Sequence, residues 1–306
     1  MCGSPVKAVR RWNRDRSRSL AAVWLALFLI CSTQTALAQD ETSAPTGTAG
    51  ATKSNIAAEF SDPLATLPQI FLQDAYTPSN HGTDAATNRL IARLIVPRVP
   101  SYSLLPFVQL IRPSISLVTV PTGKGSSTRT EFGDVQLFDL GVIPWPGRES
   151  GLLMGLGPVF VFPTASHRTA GQRAWQAGPA FGAIYKGIPG LLFGALVQNP
   201  ISFAYTSREA DAVSTLLFQP ILVAYLGHGF YVKSADATLS RGWHDGAATI
   251  LPVSLGLGYV SLRDGWPPVN VFVTGEWTAY RQHAPIAPEW TVRTGVTVAF
   301  PQWRPW

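Results

Sequence analysis

Residues 251–259 read LPVSLGLGY, and the alternation in that stretch decides the fold. Leu251, Val253, Leu255, Leu257 and Tyr259 fall on one side. Pro252, Ser254, Gly256 and Gly258 fall on the other. A period of two is the signature of an extended strand, whose successive side chains point to opposite faces. Residues 289–300 repeat the pattern: Trp290, Val292, Val296, Val298 and Phe300 lie opposite Glu289, Thr291, Arg293, Gly295 and Thr297. In 267–280, Val269, Val271, Val273 and Trp277 oppose Asn270, Thr274, Glu276 and Thr278. One face is apolar with aromatics at its ends, and the other is small or polar.

Two architectures satisfy such strands. A soluble sandwich or barrel turns the apolar face inward. A transmembrane barrel turns it outward to lipid and keeps the polar face around its axis. Segment length separates them, because a tilted bilayer-crossing strand needs about 9–11 residues and ordinary strands centre on about five or six. From about residue 86 to 300 the segments are long. Longer polar connections at 121–130, 164–173, 205–212, 241–246 and 281–288 alternate with tighter ones at 98–101, 144–150, 187–190, 227–228 and 261–267. Outer-membrane barrels alternate long outer loops with short periplasmic turns, and their strand number is normally even. Counting 69–79 as the first strand gives an all-β fold: a transmembrane antiparallel up-and-down β-barrel of about twelve strands.

Composition agrees. Only 14% of the chain is charged, against about a quarter in soluble domains, and no 18-residue apolar stretch follows residue 38. Residues 1–38 carry a basic stretch (Lys7 to Arg18), an apolar run (Leu20 to Ile30) and Ala36-Leu37-Ala38, the layout of a cleaved secretory signal peptide. That segment holds six Lys/Arg against one Asp, hence five of the six formal positive charges. The basic balance therefore gives no reason to expect nucleic acid as a partner. Cys2 and Cys31 leave with the leader, so the mature chain is expected to lack disulfides. The expected organisation is a signal peptide at 1–38, a flexible periplasmic segment at 39–68, the barrel at 69–301 and a tail at 302–306. The terminal strand Trp290–Phe300 ends on an aromatic, like the signal read by barrel-assembly machinery.

Four blocks resemble one family: GPVFVFPTAS (157–166), WQAGPAFGAIYKGIPGLLFGALVQNPISFAY (175–205), STLLFQPILVAYLGHGFY (214–231) and APEWTVRTGVTVAFP (287–301). They are similar to bacterial outer-membrane transporter-like proteins that go under names such as "neuromedin U"-like or meta-pathway phenol-degradation-associated. The resemblance covers about residues 86–301. It implies a barrel in the Gram-negative outer membrane that moves small, often hydrophobic, compounds. It implies no catalytic residues and no cofactor.

Ionisable groups facing hydrocarbon are costly, so the lumen is their place in an inverted barrel. The candidate lumen-lining residues are Arg89, Arg93, Asp134, Gln136, Gln176, Lys186, Gln198, Phe272, Glu276, Tyr280, Glu289 and Arg293. Their mixed signs argue against strong ion selectivity, and Phe272 and Tyr280 offer stacking surfaces. Trp175, Phe181, Tyr185, Tyr259, Trp277 and Trp290 read as girdle or lipid contacts. His81, His167, His228, His244 and His283 have no ligand spacing and fall near turns. Three functions fit: a passive channel for small, hydrophobic or aromatic molecules; a closed structural or adhesion barrel; and a lipid hydrolase using Ser166 and His167. The first is the leading expectation, with the lipid bilayer, the assembly machinery and small hydrophobic solutes as partners and no enzymatic step.

Overall fold

A computed structural model describes residues 59–98 except 66, 108–144 except 123–126, and 151–301 except 235 and 245–246. The strands are β1 (Gln69–His81), β2 (Thr87–Arg98), β3 (Val108–Pro121), β4 (Thr128–Phe132), β5 (Val135–Pro144), β6 (Leu152–Phe162), β7 (Ala174–Ile188), β8 (Leu191–Gln198), β9 (Ile201–Tyr205), β10 (Thr215–Gly227), β11 (Phe230–Ser234), β12 (Leu239–Gly242), β13 (Thr249–Ser261), β14 (Val269–Gln282) and β15 (Ala287–Ala299). They form one closed antiparallel barrel of twelve staves. β15 returns to β1, with Ala299 opposite Gln69. Closure leaves no open edge for pairing with other chains.

Three staves are broken in two. β4 and β5 share a stave: Phe132 pairs with Leu117 and Gln136 with Ser114, so one extra residue bulges out at Gly133–Asp134. β8 and β9 share another, interrupted by Asn199-Pro200 but keeping register across the gap, with Ala180 opposite Gln198 and Ala177 opposite Ile201. β11 and β12 share the third. There Ser234 pairs with Leu222 and Leu239 with Phe218, so one extra residue is accommodated between the two pieces and residues 236–238 leave the ladder. Pro220, which has no N–H to donate, faces that stretch.

The sidedness is inverted, as expected. Along β14, Asn270, Phe272, Thr274 and Glu276 are buried while Val271, Val273 and Trp277 are exposed. The contrast at adjacent positions is 0% exposure for Thr274 against 48% for Val273. Trp175, Phe181, Tyr259, Trp277 and Trp290 are exposed on the outer surface, and Tyr185 packs there on Phe193 with ring centroids 5.3 Å apart. An apolar exterior over strands of 13–15 residues suits hydrocarbon and not water.

Inward glycines explain the small face of β13. Gly258 pairs with Tyr231, and a Cβ there would sit 2.1 Å from the tyrosine ring. Gly295 lies opposite Phe272, where a Cβ would come within 2.3 Å of the phenyl ring. Each glycine leaves room for the ring of the neighbouring strand to lie flat across it.

The interior departs from expectation in one half. Around the polar end the inward face is as predicted. At the end holding the two termini it is apolar, with Leu110, Leu140, Val142, Ile184, Leu192 and Leu196 in one cluster. The reason is residues 59–68, expected to be flexible and found folded into that end. Leu64, with 0% exposure, is part of the cluster. Water is displaced there, so the strands surround the segment with apolar side chains. The expected leader (1–38), most of the 39–68 segment and the tail at 302–306 lie outside the described residues. The connection expected at 98–101 lies, after Arg98, outside the described residues, which resume at Val108.

Candidate functional site

The lumen is a vestibule above a plug. The vestibule is a cavity of about 1260 Å³ that reaches the turn residues Thr83 and Asp84 and the start of β15 at Pro288. Thr77, Asn80, Arg89, Arg93, Gln198 and Arg293 border it. Phe71, Phe138 and Arg112 also border it. Arg93, Arg112 and Phe71 recur around a second space of about 100 Å³ that touches Phe60, Asp62 and Pro63 of the plug.

The plug is held by shape and by charge. Gly155 and Gly182 make its socket: a Cβ at either would lie 2.7 Å or 3.2 Å from Leu64 Cδ2. Asp62, 2% exposed, pairs with Lys186 Nζ at 2.7 Å. Its other oxygen accepts the Leu64 N–H at 2.8 Å, which closes a tight turn at Asp62-Pro63. Arg112 Nη1 donates to the Pro63 carbonyl at 3.5 Å.

The charges of the lumen divide unevenly. Arg293 holds Glu276 with two bonds of 2.9 and 3.2 Å. Lys233 pairs with Asp236 at 2.7 Å, and Thr274 donates to the same carboxylate at 2.9 Å. The bulge between β11 and β12 is what aims Asp236 inward. Lys233 Nζ also sits 3.3 Å from the centroid of Phe272, which stacks on Phe71. With Lys186 taken by Asp62, three arginines remain. Among the described residues no carboxylate lies at ion-pair distance from Arg89, Arg93 or Arg112. Arg93 lies over Phe71 at 5.0 Å and Arg112 over Phe138 at 4.6 Å.

No family model matches the sequence, and no curated protein matches it. In three dimensions the chain is similar to the COG4313 outer membrane channel from Pseudomonas putida F1. The TM-score is 0.55 at 10% identity, over 78% of this chain and 98% of that one. The fold is that of an outer-membrane barrel. The NanC porin (TM-score 0.46, 14% identity, 76% of this chain and 98% of that one) and the KdgM porin in complex with disordered oligogalacturonate (TM-score 0.43, 9% identity, 76% and 99%) are more remote.

Within this barrel the sequence candidates occupy different places. Arg89, Arg93, Gln136, Gln198 and Arg293 border the vestibule, where Gln136 donates to Gln198 at 3.0 Å across the lumen. Phe272 and Glu276 are buried on the inward face. Gln176 is buried and donates to Gln172. Lys186 faces the plug. Asp134 instead secures the 163–173 loop, accepting the Ala165 and Gln172 N–H groups at 3.1 and 2.8 Å. Glu289 lies exposed near the β1 end, accepting from Ser79 at 2.6 Å and facing His81 at 3.2 Å. Tyr280 is not interior: it is 45% exposed and donates to Gln282 at 2.7 Å. A register shift between Leu251 and Pro252, opposite Thr278 and Tyr280, breaks the parity that placed it inside.

Ser166 and His167 are bonded to other neighbours and not to each other. Ser166 donates to Glu131 at 2.5 Å and accepts the Phe132 N–H at 3.0 Å, while the His167 ring meets Thr169 at 2.9 Å. His228 and His283 sit in turns at φ 51 and 52. Among the described residues no three His, Cys, Asp or Glu converge as a metal site.

Sequence reasoning missed Arg112, Lys233, Asp236 and Tyr231, and it left open whether the segment within 39–80 plugs the lumen. VQLIRPSISL around Arg112 lacks clean alternation, and FYVKSAD around Lys233 is too short and irregular to show which side chains face inward. Gly256 and Gly258 were the available signal, since small residues inside a barrel imply a large neighbour.

Proposed function

We propose that the protein is a passive channel of the bacterial outer membrane for small molecules with apolar or aromatic bodies. The supporting observation is a cavity of about 1260 Å³ with a mixed polar and apolar lining, stopped at the terminus end where a separate segment packs against the wall. Side chains alone can fill a small barrel, yet here the obstruction at the terminus end is residues 59–68. Solutes enter from the loop end, and Phe71, Phe138, Ile91 and Leu217 give the cavity apolar surface. Onward passage requires the plug to shift. No covalent step is involved.

A closed structural barrel is the second reading, favoured by the apolar cluster that surrounds Leu64. Swelling of proteoliposomes in isosmotic small solutes separates the two. The full chain and a variant lacking residues 59–65 are compared, and the channel reading expects the deletion to swell faster. If neither admits any solute of a chemically broad panel, the channel reading falls and the closed barrel stands.

A further inference from the structure

We propose that Arg89, Arg93 and Arg112 form a binding site for a small organic carboxylate carried on an apolar body, at the floor of the vestibule. It deepens the channel reading by naming a substrate class.

The first ground is charge. Every inward acid of the lumen core is committed: Asp62 to Lys186, Asp236 to Lys233 and Glu276 to Arg293. Among the described residues no carboxylate lies within ion-pair distance of the three remaining guanidinium groups; Asp134 and Asp236 act on Arg89 and Arg93 only from farther away. The positive charge at the vestibule floor is therefore not cancelled by direct pairing. The second ground is Arg112, which is 6% exposed while its Nε finds no hydrogen-bond partner. A charged donor so far out of water is costly until an acceptor arrives. The third is geometry. Arg93 and Arg112 lie over the rings of Phe71 and Phe138; Arg112 gives Nη1 to the Pro63 carbonyl and keeps Nε free. A carboxylate takes such a fork through two parallel bonds, and an apolar body attached to it, which inorganic phosphate lacks, can lie along the phenyl rings. Arg89 stands above, open to the vestibule, where it draws anions toward the floor.

The test is isothermal titration of the detergent-solubilised full chain with sodium benzoate, its neutral isostere benzamide, and inorganic phosphate. Benzoate is expected to bind at least tenfold more tightly than either, and less tightly as salt is raised. Arg89→Gln makes a safe variant, because Arg89 forms no hydrogen bond or ion pair among the described residues. Both it and Arg93→Gln should weaken benzoate by about tenfold, the scale of one lost charged bond. Arg263→Gln, the same charge change in the 262–268 turn, should leave binding unchanged. Equal binding of benzoate and benzamide, equal binding of phosphate, or equal effects of Arg93→Gln and Arg263→Gln would overturn the site. Benzoate binding without any solute flux would leave the site standing and remove the channel.

Discussion

Replacing Leu64 with alanine should open the barrel. Leu64 is fully buried in a socket floored by Gly155 and Gly182. The substitution removes three carbons, or about 2.4 kcal/mol of transfer free energy at about 0.8 kcal/mol per carbon. The vacancy adds to that, because glycines have no side chains to move into it, and about 3–4 kcal/mol in total matches the known span for Leu→Ala in cores. All of it acts on docking, since the undocked segment exposes residue 64 to water in either form. At about 1.4 kcal/mol per tenfold, the undocked population rises by roughly two orders of magnitude. Single-channel recording in planar bilayers reads this as open probability. Leu255→Ala deletes the same atoms from the lipid-facing surface and serves as control. If Leu64→Ala and Leu255→Ala both conduct like the unaltered protein, the plug does not gate the lumen.

Three further outcomes are expected. Lys186→Gln leaves the Asp62 carboxylate buried without its cation and should weaken docking by about 3 kcal/mol, the low end for a broken buried pair because Lys186 itself keeps some exposure. Faster protease cleavage near residue 60 would reveal it, and an unchanged cleavage rate would count against the ion pair. Tyr231→Phe removes the 2.8 Å bond to Asn270 and should cost the barrel about 1–3 kcal/mol, read by urea unfolding in lipid vesicles; an unshifted midpoint would show that bond to be idle. Val273→Lys places a charge on the hydrocarbon side and should cost about 2–4 kcal/mol in the same assay, whereas a neutral result would argue that this face meets water.

The barrel was legible where side chains alternate without interruption. β13, β14 and β15 each show their buried and exposed rows directly in sequence, and the even strand count follows from adding 69–79. What was hidden are the places where one residue is inserted. The bulge between β11 and β12 turns Asp236 inward, and the register shift near Tyr280 turns that ring outward; neither leaves a mark on hydropathy. The plug was hidden for another reason. Phe60, Leu64 and Leu67 are too few and too unevenly spaced to signal a strand or a helix, and their burial depends on a socket made by glycines about ninety and a hundred and twenty residues away. Likewise the arginines without a close carboxylate emerged only once Asp62, Asp236 and Glu276 had been matched to Lys186, Lys233 and Arg293 in space.

Sidedness is tested most directly by spin labels placed one at a time from 269 to 277 on β14, in a protein whose Cys2 and Cys31 are replaced by serine. Power saturation in lipid vesicles compares oxygen, which concentrates in hydrocarbon, with a water-soluble nickel chelate. Labels at 271, 273, 275 and 277 should relax with oxygen, and those at 270, 272, 274 and 276 should not. A reversed alternation, or the nickel reagent dominating at 271 and 273, would mean that the apolar face of this sheet does not meet lipid.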